Sequence, residues 1–331
     1  MKQIAKYLVF QILCPLLLFF GLDKLVRRLS SNRRIIIMYH GVSGKKNFSI
    51  NGRHLPSDEF EQHLIYFKKN FNILSLKEIC HRNDLAGYSI ALTFDDGYLN
   101  NIQHAIPLLS KYQIPATFFV SSASLVDPLY LHPSDYIDII RTSTTEDLVI
   151  NGTVFKNENR QLRHAEYGNA FDYLNSLNFS DFKKTIAWIR NQYPLEKVLT
   201  KIDPEVYRLI SATTVTGLAG EKLFTVGSHG HDHVNLEKLN KGEMVDQLKT
   251  SKELLEKHLQ APIDFIAFPY GYFNREAVEA STQQGYAYLF AGGSISDEWK
   301  QRVFPRIGIF NMAGYAFNML SISHGFQRFG F

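Results

Sequence analysis

Ile90-Ala91-Leu92-Thr93-Phe94-Asp95-Asp96-Gly97 is a short apolar strand that runs straight into two adjacent aspartates and a glycine turn. An uninterrupted apolar run of this length, bounded by a turn signal, has the pattern of a strand buried in a parallel sheet. Adjacent carboxylates repel each other, so a site that keeps both charged needs a compensating cation. Partners for one lie far downstream in Gly227-Ser228-His229-Gly230-His231-Asp232-His233, where His229 and His233 are four residues apart. One aspartate and two histidines make an open metal-binding set.

Outward from this stretch the same pattern recurs. Ile35-Ile36-Ile37-Met38-Tyr39 is a second apolar strand, and it ends in His40-Gly41. Ser57, followed by Asp58, Glu59 and the periodic Phe60, Leu64 and Phe67, predicts an N-capped helix. A strand over Phe71 to Leu74, a helix over Leu76 to Ile79, a helix over Asn101 to Lys111 and a strand over Ala116 to Val120 continue the alternation. From about 131 to 220 the texture changes to an α-rich insertion, with a hairpin over Val149 to Phe155 turning at Asn151-Gly152 and helices over Ala165 to Leu177 and Asp181 to Arg190. Alternation resumes with Leu223 to Val226, the helix Lys241 to Leu259, Asp264 to Phe268, the helix Arg275 to Gln284, and strands near Tyr288 and Ile307. The rhythm predicts the α/β class and a distorted (β/α) barrel. In such a barrel the C-terminal strand ends converge on one face. His40, Asp95-Asp96, His229 and Pro269-Tyr270-Gly271 all stand where an apolar strand stops.

The 331 residues, 45% of them hydrophobic, suffice for one large barrel or two ordinary domains. A net charge of +4 without a long Lys/Arg tract argues against nucleic acid as a partner. The two cysteines, Cys14 and Cys80, have the spacing of neither a zinc knuckle nor a disulfide framework. Leu8 to Leu22 is apolar apart from Gln11 and is followed by Lys24, Arg27, Arg28, Arg33 and Arg34. Residues 1–30 are therefore expected to form an apolar, membrane-associated helix with a basic flank. Roughly 15 apolar residues fall short of the roughly 20 that span comfortably, and Pro15 interrupts them. A span, an interfacial helix and a helix packed on the folded domain all remain open. The positive charge follows the apolar stretch and no small-x-small cleavage site is present, the reverse of a signal peptide. A spanning helix would favour the cytoplasmic face for the remainder, with the opposite face still open.

Thr93-Phe94-Asp95-Asp96-Gly97, Ser228-His229 with His233, and Phe268-Pro269-Tyr270-Gly271 resemble the first three motifs of the polysaccharide deacetylases, the NodB-homology or carbohydrate esterase family 4-like group. Ile37-Met38-Tyr39-His40-Gly41-Val42 and Ile114-Pro115-Ala116-Thr117-Phe118-Phe119 support the likeness, which runs from about Arg34 to Phe310 and leaves out the N-terminal helix and the insertion. The resemblance implies a NodB-type barrel over 31–331, with a divalent metal held by Asp96, His229 and His233. Zinc is the first candidate, with cobalt, nickel and manganese open. It also implies that Asp95 is the general base and that the backbone N–H of Tyr270 faces the oxyanion. The chemistry agrees: three protein ligands leave room for water and a substrate carbonyl. An amine leaving group needs a proton. His40 is the candidate acid, because Tyr39-His40 matches the Tyr-His of the exopolysaccharide deacetylase branch. His324, in Ile322-Ser323-His324-Gly325, is the alternative, since many family members place an acid histidine in a C-terminal motif.

Ala267 stands where an arginine often opens the third motif, and Arg306 is the candidate to reach Asp95 in its place. Ser228 is read as a supporting residue and His231 as pointing away. His54, His63, His81, His104, His132, His164 and His258 are expected at the surface without a role. Tyr98 and Tyr270 stand out as rings that could pack on a sugar face. The function expected is metal-dependent hydrolysis of acetyl groups, N-acetyl foremost, on a polysaccharide, oligosaccharide or lipid-linked sugar. A carbohydrate-binding protein without turnover and an amidase for non-sugar amides are the alternatives.

Overall fold

Seven parallel strands close on themselves in the computed structural model, which describes residues 9–29, 33–45, 50–82, 87–158, 161–309, 311 and 314–324. They are β1 (Arg33–Tyr39), β2 (Tyr88–Phe94), β3 (Ala116–Val120), β4 (Phe224–Ser228), β5 (Phe265–Ala267), β6 (Tyr288–Gly292) and β7 (Val303–Gly308). Each lies beside its neighbour in sequence. Ile37 of β1 is registered with both Leu92 of β2 and Ile307 of β7, which shuts the barrel. The expected distorted (β/α) barrel is the fold that forms. The strand anticipated over Phe71 to Leu74 is only Asn72–Ile73, paired with the start of β2.

Side chains alternate across each strand, and the alternation divides the core in two. Ile36, Ala91, Phe119, Phe265, Ala267 and Phe290 form one cluster, closed off by Leu76 and Ile79 of the helix Leu76–His81. Ile37, Tyr39, Leu92, Phe94 and Phe118 belong to another, packed with Phe60, Leu64 and Phe67 of the helix Ser57–Asn70. A Cβ at Gly227 would lie 2.6 Å from the Phe119 ring, so only glycine lets that ring cross beside β4. His40, Asp95 and His229 continue the first alternation one step past their strands, and Arg306 shares it within β7. All four line one cleft.

Helix starts follow local chemistry of two kinds, side-chain caps and proline. Asn240 and Glu243 form a reciprocal capping box for Lys241–Leu259, satisfying two orphan N–H groups. Ser57 was expected to cap its helix but is its first residue, preceded by Pro56 without a side-chain cap. Proline supplies the extended φ needed there, and Asp58 and Glu59 in the first turn complement the helix dipole.

The insertion is more β-rich than its composition suggests. Leu148–Ile150, Thr153–Glu158, Gln161–His164 and Gly168–Asn169 form an antiparallel sheet, and the helix expected from Ala165 begins only at Ala170. The turn at Asn151-Gly152 forms as expected, both residues taking positive φ. Helices Pro133–Ser143, Phe179–Gln192 and Ala212–Leu218 complete it.

The N-terminal segment is not one long helix. Cys14–Phe19 and Leu22–Leu29 are separate helices broken at Gly21, whose φ is 74°; residues 1–8 and 30–32 of the anticipated segment and its link lie outside the described residues. Among the described residues no helix is long and apolar enough to cross a membrane. Cys14, Leu17 and Leu18 pack instead on Ala316 and Leu320 of the helix Tyr315–His324. Arg27, expected in a basic flank, donates to Asp23 at 3.0 Å, Tyr66 at 2.8 Å, Asn70 at 2.9 Å and Ser323 at 2.8 Å.

Candidate active site

Asp95, Asp96, His229, His233 and Arg306 are each no more than 3% exposed, and the first four enter from β2 and β4. Backbone bonds hold the two entry points: Asp95 N–H donates to Tyr39 C=O at 2.9 Å and His229 N–H to Val120 C=O at 2.8 Å. Among the described residues seven non-glycine residues take positive φ, and the three that are neither Asn nor Gln are Asp96, His233 and Tyr270. Such backbone costs roughly 1–3 kcal/mol per residue and collects where function needs a fixed geometry.

His229 Nε2 lies 3.3 Å and His233 Nε2 3.0 Å from the same oxygen, Asp96 Oδ1. His229 Nδ1 is 2.8 Å from the Ala267 carbonyl, which can only accept, so Nδ1 carries a proton and Nε2 is the ring nitrogen turned to Asp96. Without a bound proton or a metal ion between them, Nε2 would set a lone pair against a carboxylate oxygen, which is repulsive. The three donor atoms sit within 4.8 Å of one another, and one oxygen with two imidazole nitrogens is a set that suits zinc. The residues therefore fit a divalent metal. Burial opposes ionisation of Asp96, but His233, His229 and Arg53 outweigh it and hold the carboxyl well below its ordinary range.

Asp95 faces the same space, its Oδ2 lying 3.9 Å from His229 Nε2. Arg306 grips it with two bonds, Nη1 to Oδ1 at 2.6 Å and Nη2 to Oδ2 at 2.7 Å. Its guanidinium also donates to Thr93 Oγ1 at 3.2 Å and lies 5.1 Å from the centre of the Phe119 ring. The arginine that pairs with Asp95 thus comes from β7, while β5 carries Ala267. Burial alone would raise the Asp95 carboxyl, but Arg306 and His229 reverse it and keep it below the ordinary value.

His40 lines the cleft beside these groups, with its Nδ1 buried and unpartnered. Burial lowers its imidazole to about 4 despite Asp96 and Asp95 nearby. His324 lies at the other end: its carbonyl accepts from Arg33, the first residue of β1, whereas His40 follows the last. Tyr270 lines the cleft, its hydroxyl donating to His233 C=O at 3.0 Å and its ring 4.5 Å from that of His233. Ser228 points away from the cleft, bonded to Ser251 Oγ at 2.8 Å and accepting from Gly230 N–H at 3.2 Å, which fixes the turn before His233. His231 turns outward to Ser122 Oγ at 2.8 Å.

Three histidines expected at the surface are buried: His54, His63 and His132 are each 0% exposed. Each has found a polar partner that sequence spacing does not reveal, respectively Asn100, Tyr39 and the Asp96 carbonyl. Tyr98, expected as a possible sugar platform, is also buried, with its hydroxyl on both oxygens of Asp135 at 3.0 and 2.8 Å. Arg53 and Asp135 were not anticipated at all. Arg53 lines the cleft and reaches Asp96, and Asp135 is pushed up to about 7 by burial despite Arg53 beside it.

The family model for polysaccharide deacetylase matches residues 82–209 and 212–289, more than half of the chain. The chain belongs to the polysaccharide deacetylase family. The matched stretch runs through the insertion, which the motifs alone had left outside. "Putative polysaccharide deacetylase YxkH" of Bacillus subtilis (strain 168) is 30% identical over 128 residues, 35% of this chain and 44% of that relative. The chain thus spans less than half of that relative's length. The Streptococcus pyogenes deacetylase PplD, solved in complex with acetate, shares the fold with a TM-score of 0.52 at 17% identity, covering 85% of this chain and 94% of PplD. A de-N-acetylase from Aggregatibacter actinomycetemcomitans superposes with a TM-score of 0.54 at 17% identity, covering 85% and 96%.

Proposed function

We propose that this polysaccharide deacetylase family member is a metal-dependent hydrolase that removes N-acetyl groups from a polysaccharide, oligosaccharide or lipid-linked sugar. The observation that carries the reading is the convergence of two imidazole nitrogens on Asp96 Oδ1 beside a second carboxylate paired to arginine. Asp96, His229 and His233 would hold the metal, zinc by its donor set, which when bound polarises the acetyl carbonyl and makes water more acidic. Asp95, ionised and oriented by Arg306, takes the proton from the attacking water. Tyr270 closes the site over His233. The cleft measures about 1290 Å³, larger than the roughly 300–1,000 Å³ of ordinary small-molecule pockets, which favours an extended sugar over a small amide. The names of PplD with acetate and of the de-N-acetylase point to the same class. Of the two motives for a binding protein without turnover, the missing third-motif arginine is answered by the Arg306 pair, and the uncertain acid is answered by the test of His40 below. Acetate release from N-acetylated oligosaccharides, lost with a chelator and regained with zinc or cobalt, is the expected result. Release from none of a panel of N-acetyl sugars, O-acetyl sugars and simple acetamides would overturn it.

His40 is assigned the proton delivered to the departing amine. In the free site burial leaves it neutral at pH 7, so the proton that Asp95 takes from the attacking water is passed to His40 before it reaches the departing amine. A His40→Asn variant is expected to lose about 10²–10⁴-fold in amide hydrolysis. Hydrolysis of an activated aryl acetate, whose phenolate leaves unaided, should fall far less. Equal losses on both substrates would remove the acid role.

Attachment to a membrane surface belongs to the same reading. Phe19 and Phe20 are 82% and 79% exposed at the break between the two N-terminal helices, with Leu16 and Leu25 and the exposed Lys24 and Arg28 beside them. Apolar side chains flanked by cations suit an anionic lipid interface. The cytoplasmic preference rested on a spanning helix, and a surface contact selects no side. Each phenyl ring buried in lipid is worth about 1.5–3 kcal/mol. Replacing Phe19 and Phe20 by serine should therefore weaken sedimentation with phosphatidylglycerol vesicles by about a hundredfold or more. Unchanged sedimentation would place the contact elsewhere.

A further inference from the structure

We propose that Arg53, together with Asp135 and His132 from the insertion, forms a positioning clamp that sets the metal-binding orientation of Asp96. This rests on the metal-site reading and assigns to the insertion a part in building that site.

The two oxygens of Asp96 have different neighbours. Oδ1 faces the imidazoles of His229 and His233, whereas Oδ2 accepts from Arg53 Nη1 at 3.4 Å. Arg53 is itself held from three sides: Nη2 donates to Asp135 Oδ1 at 2.6 Å and to Tyr98 Oη at 3.1 Å, and Nε donates to Asn51 Oδ1 at 2.8 Å. Asn51 and Tyr98 close the ring, since Asn51 Nδ2 donates to Tyr98 Oη at 2.8 Å and to Asp135 at 3.2 Å. The guanidinium therefore cannot follow Asp96 if that carboxylate rotates; it fixes which oxygen is left for the cation.

His132 acts on the backbone of the same residue. Its Nε2 lies 3.0 Å from the Asp96 carbonyl, which accepts, and its ring is 4.3 Å from that of His233. Asp96 has a φ of 72°, a conformation an aspartate keeps only when its surroundings hold it. His132 precedes the helix Pro133–Ser143, and Asp135 lies in its first turn. One helix start thus braces both the carbonyl and, through Arg53, the carboxylate of a single ligand. Outer partners of metal ligands typically matter 10–100-fold in metal affinity.

The test measures cobalt(II) affinity of the full chain by competition with a chelator, alongside the visible spectrum of the bound ion, and requires no substrate. Arg53→Met is expected to weaken binding about 10–100-fold and alter the spectrum, with Asp135→Asn and His132→Phe giving smaller losses and Arg53→Lys partial recovery. Should Arg53→Met not fold, Asp135→Asn and Arg53→Lys carry the measurement. Wild-type cobalt affinity and spectrum in folded variants would overturn the clamp. So would an Arg53→Met chain whose KM rises while metal affinity is unchanged, because Arg53 would then be a substrate contact. A wild-type chain that binds no cobalt would overturn the metal reading beneath it, a result distinct from either.

Discussion

An Asp96→Ala chain is expected to bind neither zinc nor cobalt in stoichiometric amount and to lose acetate release by more than about 10³-fold. That exceeds the 10²–10³ typical for losing one transition-state hydrogen bond, because a shared anchor is removed. Both imidazoles address the same Asp96 oxygen, so its deletion leaves two neutral nitrogens, which hold a divalent ion poorly without an anionic ligand. The remaining carboxylate, Asp95, does not substitute, since the two bonds from Arg306 fix its orientation and hold it out of the vacated ligand position. Elemental analysis of the purified chain with an acetate assay on the same sample checks the two losses together. The fold should persist, because deleting the carboxylate frees Arg53 to keep its bond to Asp135 and creates no orphaned cation. Retained metal with lost activity would make Asp96 a chemical group and not a ligand. Retained activity would end the hydrolase reading.

What could be read in the chain was the part with a short-range signature. Apolar runs of β-branched and aromatic residues marked the strands, and a polar residue one step past each placed His40, Asp95 and His229 at a common rim. Arg306 was legible only by position, as the basic residue on a strand that could face a motif lacking its arginine. Arg53 carried no such mark: it sits in an irregular loop, and its partners Asp96 and Asp135 are 43 and 82 residues away. His132 was invisible for the same reason, its acceptor being a backbone carbonyl 36 residues back. Gln161-Leu162-Arg163-His164 has a single apolar residue to announce a strand, so of the insertion sheet only the Val149 to Phe155 hairpin was legible. Hydropathy alone cannot tell lipid from protein as the partner of an apolar helix, and here the face with Cys14 and Leu18 meets protein while Phe19 and Phe20 do not.

The Arg306–Asp95 pair should separate stability from chemistry. In Arg306→Met the Asp95 carboxylate stays buried without its cation, and breaking such a pair costs about 3–5 kcal/mol. Burial is then opposed only by His229 and His40, and the carboxyl's pKa rises. A base works only when ionised, so activity is lost first at low pH and the acidic limb of the rate profile moves to higher pH. With geometry as well as charge state disturbed, kcat should fall about 10²–10⁴-fold, the range that a general base is worth. Arg306→Lys restores charge but not the two-pronged grip, so it should recover the pH limb more fully than kcat. The double variant Arg306→Met with Asp95→Asn removes both charges and should regain most of the lost stability while remaining inactive. Denaturant unfolding and pH profiles of these chains distinguish the outcomes. If Arg306→Met kept kcat and the wild-type limb, the bond to Asp95 would be structural, and the orientation of the base would have to come from His229 or His40.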